Sequence, residues 1–221
     1  MLKQKSIVLV GGPDSGKTNY VGRLWAALRA RQGRLVAPQI PADIQYVEDT
    51  LAHLMQGEFT PRSEKSIGVD RRDFVVPVAP ANNDGSAEFS IVVPDVSGEL
   101  WQSAVETFEI SEEWMQQLEQ SVGALLFVRV LSNQNVTPLD WVTAEKLLKL
   151  HPTKMDDQEL RKIPTQVLLS ELLRFLELTL QRGPKGKLPR VAVVVTAWDL
   201  LDEERRAAGP EQFLQAEFPV F

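Results

Sequence analysis

Gly11, Gly16, Lys17 and Thr18 fall in the spacing G-x-x-x-x-G-K-S/T, the pattern of a phosphate-binding loop. Glycines let the backbone curl so that successive N–H groups face a phosphate, and the helix starting at the end of the loop adds partial positive charge. The residues this assigns to the phosphates are Gly11, Gly12, Asp14, Ser15, Gly16, Lys17, Thr18 and Asn19. Lys17 has the reach for the β- and γ-phosphates, and the Thr18 hydroxyl for a bound Mg²⁺. Asp14 is unusual beside a site for a polyanion; it either points at the site, faces solvent or caps the turn. A second set lies in Ile91-Val92-Val93-Pro94-Asp95-Val96-Ser97-Gly98-Glu99, where an apolar run ends in Asp95 and Gly98 follows three residues later. An Asp at such a strand end can hold Mg²⁺ through water, and the Gly N–H can reach the γ-phosphate and report its presence. A third run, Val193-Val194-Val195-Thr196-Ala197-Trp198-Asp199, again delivers a carboxylate just past apolar residues.

These groups need a frame to hold them, and the apolar pattern supplies one. Ile7 to Val10, Ile91 to Val93, Ala124 to Val130 and Val191 to Val195 are short, β-branched and not alternating, which is how strands buried on both faces of a parallel sheet read. Between them lie stretches of helical period: Val21, Leu24, Trp25 and Leu28, closed by Gly33; Ile44, Val47, Leu51, Leu54 and Met55, closed by Gly57; Trp141, Ala144, Leu147 and Leu148; and Gln166 to Leu180. Strand then helix, repeated, means an α/β fold of three layers, helices covering both faces of a mostly parallel sheet. Phe74-Val75-Val76-Pro77-Val78 also reads as extended, and Pro77 puts it at an antiparallel edge because it cannot donate to a central ladder. The expectation is one domain over residues 1–221, with a helical insertion at about 35–60.

The bulk composition excludes several classes. The 221 residues, 43% hydrophobic, suffice for one good-sized core. A net charge of -6 with both signs interspersed argues against a nucleic-acid groove or an anionic-membrane patch. The absence of cysteine removes disulfides and thiolate metal sites, and two isolated histidines, His53 and His151, do not make a zinc site. No apolar run is long enough to span a bilayer and the N-terminus does not read as a signal peptide, so the expected setting is the cytoplasm, without membrane insertion.

With the third motif in view, the chain resembles the Ras-like P-loop GTPases, whose base-recognition motif N/T-K-x-D ends a late strand. That resemblance implies that Asp199 accepts from guanine N1–H and the 2-amino group, and that Thr196 stands at the Asn/Thr position. Ala197 replaces the Lys whose stem lies along the base; Trp198 either supplies stacking or is a packing residue. The set G-K-T, D-V-S-G-E and T-A-W-D is similar to that of the bacterial double-GTPase group, Ras-like proteins found with a companion GTPase and associated effector proteins in predicted defence or stress systems. The implied ligands are GTP or GDP with Mg²⁺, and the implied activity is slow hydrolysis of GTP.

The same resemblance implies a switch I hydroxyl completing the Mg²⁺ shell, for which Thr60 is the candidate and Ser66 the rival. The metal set is then Thr18, Thr60 and Asp95, and the catalytic set Lys17 and Glu99. Glu99 follows the D-x-x-G glycine where relatives carry a water-orienting Gln; it either handles water or is a solvated switch residue. Arg62, Arg71 and Arg72 lie nearby as candidates for an arginine acting in cis. Only Leu200 to Phe221 follow Asp199, with no Ser-Ala pair, so the final strand and helix of a Ras-like fold are expected to be missing and the sheet edge to be completed by a protein partner or by self-association. Three readings follow: a nucleotide-controlled switch, a GTP-binding scaffold that hydrolyses little, and a P-loop ATPase or kinase. The last lacks an adjacent Asp-Glu pair after Ile91 and an Arg-rich lid pattern.

Overall fold

The computed structural model describes residues 3–41, 44–56, 73–82, 89–94, 98–107, 109–136 and 163–221. Six strands, β1 (Lys3–Val10), β2 (Leu35–Val36), β3 (Asp73–Pro80), β4 (Phe89–Pro94), β5 (Ser121–Arg129) and β6 (Arg190–Thr196), form one sheet in the order β2-β3-β4-β1-β5-β6. β4, β1, β5 and β6 run parallel, whereas β3 is antiparallel to β4 and β2 to β3. The antiparallel strand expected around Pro77 is β3, second from the edge because the two-residue β2 lies outside it. Pro77 costs no ladder bond toward β2, because β2 pairs only with Ala79 and Pro80.

Side-chain alternation divides the core between two faces. Leu9 and Phe127 join Val21, Trp25 and Leu28 of α1 (Lys17–Arg29) on one face, with Phe74, Val76 and Val78 of β3. Trp25 meets Phe74 edge to face at 6.3 Å. α2 (Gln45–Met55) packs along α1 and covers most of the helical period read from Ile44 to Met55. On the opposite face, Val8, Val10, Leu126 and Val128 meet Trp101 of α3 (Gly98–Thr107), Leu118 of α4 (Glu112–Gln120) and Leu169, Leu172 and Leu176 of α5 (Thr165–Thr179). Each such large side chain, fully buried, contributes about 1.5–3 kcal/mol. Trp25 and Trp101, two of the tryptophans whose places were open, are core residues.

After β6 come α6 (Glu203–Ala208) and α7 (Pro210–Glu217), whose Phe213 closes the second core with Phe218. Asp202 caps α6 by accepting from the Arg205 N–H at 2.8 Å, and Gly209 (φ 88°) makes the turn to Pro210 at the start of α7. β6 departs from the sequence expectation. It is not buried on both faces: Val193 is 38% exposed, and β6 is the outermost strand among the described residues. The helix expected at Trp141 to Leu148 lies outside the described residues. None of the described helices is long and apolar enough to cross a membrane.

At the end of the sheet away from the phosphate loop, a polar cluster is buried between β1, β5 and α4. Gln117 Nε2 donates to Ser6 Oγ at 2.7 Å, and Ser121 Oγ lies 3.0 Å from Ser6 Oγ and donates to the Gln117 carbonyl at 2.8 Å. The cluster sits where the β1–β5 register shifts between Ser6 and Ile7. Its mutual bonding satisfies hydroxyls that burial would otherwise penalise.

Candidate functional site

Residues 11–16 connect the end of β1 to the start of α1 at the centre of the sheet. The turn requires backbone that side chains rarely adopt. Gly11 has φ 153°, and a Cβ there would lie 2.9 Å from the Phe127 carbonyl; Gly16 has φ 88° and is the N-cap of α1. Asp14 is left-handed at φ 60°, a conformation that Asp tolerates better than most residues. The first helical bond of α1 runs from Tyr20 N–H to the Gly16 carbonyl at 3.0 Å, and the N-cap Gly16 has no side chain with which to cap the helix. The N–H groups of its first turn therefore face the loop with the positive end of the helix dipole.

Lys17 folds back over the loop. Its Nζ donates to the carbonyls of Gly11 (2.8 Å) and Gly12 (3.0 Å) and to Ser15 Oγ (3.2 Å), which places a cation at the mouth of the turn. Ser15 is buried, while Thr18 and Asn19 are half-buried in the first turn of α1. The fit to a phosphate thus rests on a glycine-built curl too tight for a Cβ, an uncapped helix start and an ammonium drawn over both.

The late strand reaches the same place. Thr196, the last residue of β6, donates from Oγ1 to the Ser15 carbonyl at 2.8 Å, although the two are 181 residues apart in sequence. Its side chain also fills the space beside Gly16, where a Cβ would meet it at 3.4 Å. Ala197 turns left-handed (φ 56°) and begins a short 3-10 turn, Trp198–Leu200, which leaves Asp199 exposed beyond the strand end. Trp198 packs against the second core. Its ring meets Phe213 edge to face at 5.8 Å.

Asp14 is not simply solvated. Its carboxylate forms an ion pair with Arg129, the last residue of β5, whose Nη1 also donates to the Asp14 carbonyl at 3.2 Å. Arg129 was missed by sequence reasoning. Gly98 begins α3 just after the end of β4, and Glu99 is the second residue of that helix. Asp95 and Thr60, with Ser66 and the arginines Arg62, Arg71 and Arg72, lie outside the described residues. Thr18 is consequently the described member of the Mg²⁺ set. Among the described residues no three His, Cys, Asp or Glu gather into a metal cage. Such a cage is not what Mg²⁺ uses beside a nucleotide, where one or two protein oxygens, phosphates and waters serve.

Comparison with curated proteins finds no match. Comparison with protein-family models matches residues 8–221 to Double-GTPase 1, a span that starts in β1 and takes in the phosphate loop, the Thr196 strand end and the closing helices. The family is one of GTP-binding proteins with a P-loop fold, in agreement with the sheet order and the loop geometry. The chain belongs to the Double-GTPase 1 family.

Proposed function

We propose that this protein is a Mg²⁺-dependent GTP-binding switch that hydrolyses GTP slowly. The observation that carries the reading is the Thr196–Ser15 hydrogen bond, which joins the phosphate loop to the strand end bearing Asp199. One site then holds a phosphate cradle at one end and a carboxylate for guanine N1–H and the 2-amino group at the other. Gly11, Gly12, Asp14, Ser15, Gly16, Lys17, Thr18 and Asn19 surround the phosphates in this reading, and Gly98 senses the γ-phosphate. Mg²⁺, when bound, would neutralise phosphate charge, with Thr18, Asp95 and Thr60 as its protein oxygens. Lys17 moves its ammonium from the loop carbonyls onto the phosphates, and Glu99 holds the attacking water. A carboxylate is a poor neighbour for a γ-phosphate, which is the reason a low rate is expected.

The reading extends to a bacterial multi-protein system of the defence type, working in the cytoplasm. β6 is the outermost strand of the sheet among the described residues, and this supports association with a second polypeptide. Titration of the purified protein with GTP, GDP, ATP and ADP in Mg²⁺, followed by phosphate release, tests the nucleotide and the reaction together. Lys17→Ala is expected to abolish binding. Preference for ATP would sink the guanine assignment, and tight GTP binding without turnover would make the protein a GTP-dependent scaffold instead.

A further inference from the structure

A phosphate loop with an acid in it has an electrostatic problem. A carboxylate next to a di- or triphosphate raises the free energy of the bound state unless a cation neutralises it. Here the cation comes from the neighbouring strand. Arg129 ends β5, pairs its guanidinium with the Asp14 carboxylate and donates to the Asp14 main-chain carbonyl. Arg129 and Thr196 are register partners across the β5–β6 ladder. The two partners therefore grip consecutive loop carbonyls, Arg129 that of Asp14 and Thr196 that of Ser15.

The grip has a directional consequence. In a trans peptide the C=O of one residue and the N–H of the next point opposite ways. Fixing the Asp14 and Ser15 carbonyls toward β5 and β6 therefore aims the Ser15 and Gly16 N–H groups away from those strands. Amides set in advance lose less freedom when an anion arrives. Ala197, the next residue after Thr196, carries no charge that could share the task.

The geometry points to Arg129 as a positioning residue of the nucleotide site: it cancels the charge of Asp14 and holds the loop amides toward the phosphates. This rests on the guanine-nucleotide reading above, and it extends that reading to a residue outside every motif. It predicts that the protein binds polyphosphate nucleotides well despite Asp14 only while Arg129 is present.

The test measures dissociation constants for GDP and GTP, with Mg²⁺, on the full chain and on Arg129→Ala, Arg129→Lys, Asp14→Asn and the double variant Arg129→Ala/Asp14→Asn. Thermal melts identify any variant that fails to fold. Arg129→Ala is expected to weaken both nucleotides roughly tenfold at low salt, more for GTP than for GDP, and the loss should shrink near 1 M salt, where the screening length is about 3 Å. Arg129→Lys should recover part of the affinity. The double variant should bind more tightly than Arg129→Ala, since it removes the uncompensated carboxylate. If Arg129→Ala does not fold, Arg129→Lys carries the same comparison with and without Asp14→Asn, and the double change should recover affinity that Arg129→Lys loses. An affinity for Arg129→Ala within twofold of the parent would overturn the proposal. So would a loss that neither salt nor Asp14→Asn reduces, which is the mark of a purely structural residue. Failure of the parent chain to bind GTP would instead refute the guanine-nucleotide reading, so the two failures are distinct.

Discussion

Gly11 and Gly12 are adjacent glycines of one loop, yet the structure assigns them opposite costs. Replacing Gly11 with Ala would put a Cβ 2.9 Å from the Phe127 carbonyl and 2.9 Å from Ser15 Oγ, at a φ of 153°. Neither neighbour can yield easily. Phe127 is 1% exposed, its strand is fixed between β1 and β6, and its ring meets Tyr20 edge to face at 5.2 Å. Ser15 is buried and accepts from Lys17. The backbone strain of a side chain at this φ contributes about 1–3 kcal/mol and the overpacking about 1–3 kcal/mol, so Gly11→Ala is expected to lose roughly 3 kcal/mol. For a chain of this length each kcal/mol moves Tm by about 2–4 °C, so a fall of roughly 6–12 °C follows. Gly12→Ala meets nothing within 4 Å and has no positive φ, so its melting temperature should stay near the parent's. Scanning calorimetry of the three proteins without nucleotide makes the comparison. Equal melting temperatures for Gly11→Ala and Gly12→Ala would refute the reasoning, because both the strain and the contact belong to Gly11 alone.

Three further outcomes can be measured. Ser121→Ala removes the hydroxyl that bonds the Gln117 carbonyl and lies against Ser6, and should lower stability by about 1–3 kcal/mol in urea unfolding; an unchanged midpoint would show that the cluster is not a structural requirement. Burial raises the Tyr20 phenol above its ordinary 10.0, so the folded chain keeps this proton where the unfolded chain has lost it. The associated stability is fully present below about pH 10 and is lost as pH rises through the folded value, so Tyr20→Phe should show a shallower alkaline fall in Tm than the parent, and superimposable curves would contradict this. Asp199→Asn should weaken GTP by roughly tenfold and bring GTP and ITP closer in affinity, as loss of a charged hydrogen-bond acceptor implies; an unaltered ratio would mean that guanine is read elsewhere.

The strands at the middle of the sheet were legible because their environment is written into their own residues. β1 and β5 have strands on both sides and helices on both faces, so continuous apolar runs are what they need. β6 has an equally apolar run but an outer position, and a run of valines says nothing of what lies beside it. β2 is two residues long, below the length at which any period can be read. α4 was overlooked for a different reason. In EEWMQQLEQ only Trp114, Met115 and Leu118 are apolar, and its buried residues are Leu118 and Gln117, so a polar side chain fills the inner face where periodicity looks for an apolar one. α3 has a signal, Trp101 and Val105 four apart, but it starts at Gly98, and a glycine after a strand end reads more readily as a turn than as a helix start.

The phosphate loop was legible for the reason that makes it a motif. Its glycines, Lys17 and Thr18 are local in sequence, and the cradle is made from backbone between adjacent elements. Thr196 was reachable too, because the strand end that carries it has its own pattern. Arg129 was not, although the clue was present. It lies 115 residues from Asp14, and a lone Arg closing an apolar strand reads as a residue turning to solvent. The pointer was Asp14 itself. An acid placed beside a polyanion site is costly by Coulomb's law alone, so its presence in the loop required a cation from elsewhere in the fold. Candidates for that cation are basic residues at the ends of strands flanking β1, since the parallel strands end together on the side where the loop sits. Two strands flank β1 in the sheet: β4 ends at Pro94, and β5 ends at Arg129. Knowing the strand order would therefore have picked out Arg129 from the sequence, and it is the strand order, a long-range property, that single-chain patterns do not encode.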